Sequence, residues 1–243
     1  MQKHQIIIPK TARYFTLGEL NENTETVWFV IHGYGQLAEY FIQKFKVLDD
    51  GKTFIIAPEA LSKFYLKDFN GRVGATWMTR ENRENEITDY INYLNLLYDT
   101  VLPKNKSNNL RINILGFSQG TATVARWCMN EHIHYDRLIL WAGYFGNGIQ
   151  DVINPEKIAD KEVILCYSKQ DEFLVRLDIE QYEKDIRAVI PHIQVHTFGG
   201  GHTIEEADLL LVDSMFDIRT ECPKMNKNRT TNIEFRASDN KNE

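Results

Sequence analysis

Short apolar runs alternating with segments of helical period, sustained over most of the chain, limit what it can fold into more than any other feature. Thr26 to Ile31 is β-branched, aromatic and almost uninterrupted, the pattern of a strand buried on both faces. Thr53 to Ala57, Leu110 to Leu115, Arg137 to Trp141, Glu162 to Ser168 and Ile193 to Phe198 read as further strands. Gln5 to Ile8 and Tyr14 to Leu17 read as an opening pair of strands, joined by a turn that begins at Pro9. Apolar residues recur at 37, 41, 45 and 48, at 87, 90, 91, 94, 97, 98 and 101, and at 175, 179, 182, 186 and 189. These stripes predict helices over 37–48, 81–102 and 175–189, and two more follow over 119–132 and 204–215. Strands alternating with amphipathic helices imply right-handed crossovers and an α/β fold, a mostly parallel central sheet with helices on both faces. In such sheets chemistry gathers beyond the carboxyl ends of the strands, so the residues directly after each strand carry the functional argument.

The 243 residues suit one α/β domain, expected over 1–218, followed by a polar tail over 219–243 in which Ile233 to Phe235 could form a short docking segment. The net charge of −6, with both signs well mixed, excludes a broad phosphate-binding face and makes nucleic acid a poor partner. No apolar run approaches the roughly 18–20 residues that span a bilayer, and the N-terminus lacks the apolar stretch of about 7–15 residues of a secretory signal. No stable membrane insertion and a cytoplasmic location are therefore expected. Cys128, Cys166 and Cys222 are odd in number and widely spaced, which suggests neither a disulfide framework nor a metal knuckle.

After the strand Leu110 to Leu115 comes Gly116-Phe117-Ser118-Gln119-Gly120, a G-x-S-x-G elbow between a strand and a helix. The turn would raise the Ser118 hydroxyl above the sheet, with a helix N-terminus beneath it to favour developing negative charge. A serine that merely capped a helix would not need both glycines. After Thr26 to Ile31 comes His32-Gly33-Tyr34-Gly35, a loop able to turn a backbone N–H toward the site. The expected oxyanion donors are the amides of Tyr34 and Gln119.

An acid is expected after a later strand, and Asp171 follows Glu162 to Ser168 by a few residues, with Glu172 as its neighbouring rival. The base is expected after the last strand, where Phe198-Gly199-Gly200-Gly201-His202 supplies a histidine on a closely approaching loop. His4, His132, His134, His192 and His196 lie in or beside other elements, and His132-x-His134 has no third metal ligand near it in sequence. Ser118, Asp171 and His202 stand in the chain order of α/β-hydrolases, unlike the other serine-triad folds.

His32-Gly-Tyr-Gly, Gly116-Phe-Ser-Gln-Gly, the Asp171 turn and Gly200-Gly-His202 together resemble the phospholipase/carboxylesterase family, which includes acyl-protein thioesterases, over roughly residues 26–210. The resemblance implies the α/β-hydrolase fold, no metal or other cofactor, and hydrolysis of esters or thioesters through an acyl-enzyme on Ser118. The sequence departs from the family pattern at Thr121, usually glycine, in the loop after His32, and at Asp171-Glu-Phe-Leu-Val. The expected partner is thus a small-molecule ester or thioester; oligomeric state is left open. Walls for its acyl group are sought in the aromatic insertion 61–78, including Trp77, and in Tyr144 and Phe145 after the strand ending at Trp141. The rivals are a peptidase or amidase using the same groups, and a binding protein that has lost turnover.

Overall fold

A computed structural model describes residues 1–102, 110–175 and 177–215. Nine strands and five α-helices are assigned among them: β1 (Tyr14–Leu17), β2 (Thr26–Ile31), α1 (Ala38–Phe41), β3 (Thr53–Pro58), β4 (Ser62–Tyr65), β5 (Val73–Thr76), α2 (Arg83–Val101), β6 (Arg111–Phe117), α3 (Gln119–Cys128), β7 (Arg137–Trp141), β8 (Glu162–Ser168), α4 (Ile179–Val189), β9 (Gln194–Phe198) and α5 (Glu206–Ser214). Seven strands form one sheet in the order β1-β3-β2-β6-β7-β8-β9. Only β1 runs antiparallel, against β3; every other neighbouring pair is parallel.

The sheet is covered on both sides because its inner strands are apolar at most positions on both faces, with Asn113 and Arg137 as buried exceptions. Val27, Phe29 and Ile31 pack toward Tyr90 and Leu94 of α2, Val124 and Trp127 of α3, and Ile186 of α4. Trp28 and Val30 face Phe41, Ile42 and Phe45 on one side of the alternation and share their cluster with Leu209 and Val212 of α5. Burying such side chains fully contributes about 1.5–3 kcal/mol each, offset by the entropy of ordering the chain.

Three expectations need correction. Gln5 to Ile8 forms no strand: Ile6, Ile7 and Ile8 are exposed, and β1 takes the edge position against β3 without them. The helix expected over 37–48 is one α-turn, α1, continued as a 3-10 helix over Ile42–Leu48. A 3-10 helix places residues three apart on one face, and Ile42, Phe45 and Leu48 are buried along it. The stripe beginning at Val175 becomes helical only at Ile179, where the Asp178 carboxylate caps the Gln181 N–H at 3.0 Å. The insertion over 61–78 folds as an antiparallel hairpin, β4–β5, with Phe69 near its tip 91% exposed. The expected tail, 219–243, lies outside the described residues, and Cys222 with it. Among the described residues no helix is long and apolar enough to cross a membrane.

Candidate active site

Ser118 sits between β6 and α3 with φ 53° and ψ −118°, a left-handed conformation unusual for a side-chain-bearing residue. Holding it there costs of order 1–3 kcal/mol, which surrounding contacts must offset. The Ser118 N–H donates to the Trp141 carbonyl at 2.8 Å, and the Thr121 hydroxyl donates to the Ser118 carbonyl at 2.7 Å. The glycines on either side are required by space. A Cβ on Gly116 would lie 2.3 Å from the Gly120 carbonyl oxygen, and one on Gly120 would lie 2.3 Å from that of Ile31. Strand and helix therefore meet backbone to backbone, as the elbow spacing predicts.

Asp171, fully buried, follows β8, and His202 follows β9. Asp171 Oδ2 and His202 Nδ1 are 2.7 Å apart, and Asp171 Oδ1 accepts the Phe173 N–H at 2.9 Å. The carboxylate thereby holds the ring with Nε2 turned to other work. The His202 ring packs beside Phe117 and Phe173, with centroids 4.8 and 4.6 Å away. Three further bonds stitch the Asp171 loop to the His202 loop. The Ser168 hydroxyl donates to the Gly200 carbonyl, the Gly200 N–H donates to Gln170 Oε1 at 3.2 Å, and the His202 N–H donates to Glu172 Oε2 at 3.1 Å. Glu172, the rival for the acid, supports the backbone of the histidine loop instead. Its pKa lies below the usual carboxylate range because backbone N–H groups, its own and then that of His202, stabilise the charge.

Ser118 and His202 line one cavity of about 330 Å³, with Met78, Gln119, Ala122, Thr123, Arg126, Ala142, Tyr144, Phe173 and Leu174. No hydrogen bond joins the Ser118 hydroxyl to His202 among the described residues; such contacts commonly tighten only when substrate binds. In the loop after β2, the Gly33 N–H donates to Gln36 Oε1, the Gly35 N–H to the Ala75 carbonyl and the Gln36 N–H to the Gly33 carbonyl. The Tyr34 amide alone in that stretch has no acceptor among the described residues. The Gln119 amide is the first of α3 and has no partner within the helix.

His32, fully buried, lies beneath this loop. Its Nδ1–H donates to the Gly33 carbonyl at 2.8 Å and its Nε2 accepts the Ala60 N–H at 3.1 Å, so the ring is neutral and its pKa is lowered to about 4, chiefly by burial. The Gln119 side chain reaches the hairpin exit. Its Oε1 accepts the Trp77 N–H at 3.1 Å and its Nε2 donates to the Met78 carbonyl at 2.8 Å.

Of the three aromatics expected as acyl walls, Tyr144 lines the cavity and two do not. Trp77 is only 2% exposed and donates its indole N–H to the His32 carbonyl at 2.9 Å. Phe145 is buried in the core on the α2–α3–α4 side of the sheet. Loop aromatics find more apolar contact on the scaffold than at an open cavity, and the Trp77 indole N–H gains an acceptor there. Met78, at the end of the insertion 61–78, does line the cavity, whereas Arg126, Phe173 and Leu174 in its lining were not expected there. No group of three His, Cys, Asp or Glu side chains among the described residues is placed to hold a metal ion.

A search of curated proteins found no significant match. Among solved structures, acyl-protein thioesterase 2 of Zea mays is similar with a TM-score of 0.64 and 15% identity, over 86% of this chain and 99% of that one. Esterase PE8 is similar with a TM-score of 0.59 and 19% identity, over 87% of this chain and 99% of that one. A phospholipase/carboxylesterase from Dyadobacter fermentans is similar with a TM-score of 0.57 and 16% identity, over 86% and 98%. These likenesses speak for the fold. The phospholipase/carboxylesterase family model matches residues 17–218, and the chain belongs to that family of α/β-hydrolases.

Proposed function

We propose that the protein is a serine hydrolase that cleaves carboxylic esters or thioesters through an acyl-enzyme on Ser118. The observation that carries this reading is the 2.7 Å contact between His202 Nδ1 and buried Asp171, opening on the same cavity as a serine held at positive φ. Family membership supports an esterase-type hydrolase.

The Ser118 oxygen attacks the acyl carbon while its proton passes to His202 Nε2, and Asp171 stabilises the imidazolium that results. The Tyr34 and Gln119 amides, which have no other acceptor among the described residues, stabilise the oxyanion. Collapse of the intermediate breaks the bond to the alcohol or thiol, which leaves with the proton from His202. Water then gives its proton to His202 and attacks the acyl-serine, releasing the acid and restoring the hydroxyl. A cytoplasmic location belongs to the same proposal, supported by the free, buried thiols of Cys128 and Cys166.

Hydrolysis of p-nitrophenyl butyrate by wild type and Ser118→Ala tests the assignment, with fluorophosphonate labelling of the serine as a second readout. We expect kcat/KM to fall by about 10³-fold or more and labelling to vanish. Undiminished turnover by Ser118→Ala would refute the mechanism.

A further inference from the structure

We propose that the cavity carries an anion subsite built on Arg126, so that the substrate is an ester or thioester bearing a carboxylate or phosphate a few carbons from the bond that breaks. The inference rests on the serine-hydrolase reading and adds a substrate class to it.

Gln119, Ala122, Thr123 and Arg126 fall at helical spacing along one face of α3, and all four line the cavity. Helical side chains lean toward the N-terminus. The Arg126 head accordingly turns back toward Ser118, its Nη1 donating to the Ala122 carbonyl at 3.3 Å. Ala122 lies four residues beyond Ser118, about 6 Å along the helix axis, which a short carbon chain spans.

The guanidinium is under-used where it stands. Its side chain is 15% exposed. Beyond the Ala122 bond, Nη1 meets only the soft acceptor Met78 Sδ at 4.0 Å, and Nη2 lies 3.9 Å from Asp151 Oδ2, too far for a hydrogen bond. That same carboxylate oxygen accepts from Arg83 at 3.5 Å, so one half-exposed anion faces two cations. Apart from the Tyr90 hydroxyl beside it, no further hydrogen-bond partner for Nε or Nη2 of Arg126 lies among the described residues. The neighbouring Tyr90 hydroxyl is buried, and Arg126, by its charge and then as a donor toward that hydroxyl, opposes the rise that burial imposes on its pKa. A guanidinium offers five donors in a fork that matches carboxylate and phosphate oxygens.

The rest of the lining also fits. Met78, Ala122, Ala142, Phe173 and Leu174 are apolar, and Arg126 is the one permanently charged side chain among the described lining residues. In a chain of net charge −6 the surface at large does not attract anions. A cation set in that cavity selects them locally.

The test uses two matched pairs of esters. The first compares p-nitrophenyl butyrate with the p-nitrophenyl half-ester of succinate or glutarate, and the second compares butyryl glycerol with butyryl glycerol 3-phosphate. The readout is the ratio of kcat/KM, anionic over neutral, in wild type, Arg126→Gln, Arg126→Lys and Asp151→Asn. We expect wild type to favour the anionic member of one pair, which tells whether the charge lies on the acyl or the alcohol side. Arg126→Gln lowers that ratio by about 10- to 100-fold, mostly through KM. Arg126→Lys keeps part of the preference, and Asp151→Asn raises it by removing a competing carboxylate. An Arg126 that only braced Asp151 would not give opposite effects at the two positions. Turnover without charge preference in wild type, or a ratio unmoved in Arg126→Gln, overturns the subsite alone. No turnover of any ester and no fluorophosphonate labelling would overturn the serine-hydrolase reading itself.

Discussion

A single imidazole ties the stability of the loop after β2 to pH. Protonating His32 would place a hydrogen on Nε2, the atom that accepts the Ala60 N–H, inside a fully buried site. The folded pKa is about 4, against about 6.5 in the unfolded chain. As acid is added, the unfolded chain takes up the proton first. The contribution is therefore complete above about pH 6.5, lost as pH falls through 4, and worth roughly 3 kcal/mol over that window. Denaturant melts between pH 4 and 7.5 should show the slope in wild type and a flatter one in His32→Gln; equal slopes would rule out His32 as its source. Residues such as Ser118 were legible in the sequence because the elbow needs glycine on both sides, a requirement of space that leaves a fixed spacing. Trp77, Phe145 and Arg126 were not, because an aromatic ring in a loop or a cation on a helix carries no sign of which way it turns.

The hairpin β4–β5 belongs to the site through what it holds. The Gly35 N–H donates to the Ala75 carbonyl and the Ala75 N–H donates to the Gln36 carbonyl, while the Tyr34 ring leans on Phe64 at 5.0 Å. The Gln119 side chain clamps the other end of the same hairpin to α3. Gln119→Ala keeps its backbone amide yet leaves the Trp77 N–H and the Met78 carbonyl without that partner. Loss of roughly 1–3 kcal/mol is expected. Hydrogen exchange should quicken over residues 62–78, and kcat should fall more than KM rises, since the donor loop loosens. Unchanged exchange there would show that the clamp is idle. Strands such as β2 and β6 were legible because burial on both faces leaves a continuous apolar run whatever the partners. Gln5 to Ile8 offered only three consecutive apolar residues before Pro9, and nothing packs over them: all three isoleucines are exposed. The 3-10 continuation of α1 was hidden because the apolar residues at 37, 41, 45 and 48 fit α spacing, while the steps of three at Ile42, Phe45 and Leu48 went unread.

At the scale of the molecule, the three proposed catalytic groups do not share one fate. Ser118 follows β6, flanked by β2 and β7 in the middle of the sheet. Asp171 and His202 follow β8 and β9, and among the described residues β9 is an edge strand paired with β8 alone. Edge elements open at lower free energy than central ones. Turnover should accordingly be lost at a lower denaturant concentration than far-ultraviolet circular dichroism, measured on the same samples; coincident midpoints would show that the sheet yields as one unit. The stitching of Ser168, Gln170 and Glu172 to the Gly200–His202 loop then has a meaning beyond aligning a ring. It fastens the margin of the molecule that opens first, so cutting those bonds would widen the gap between the denaturant concentration that silences the protein and the one that melts its sheet.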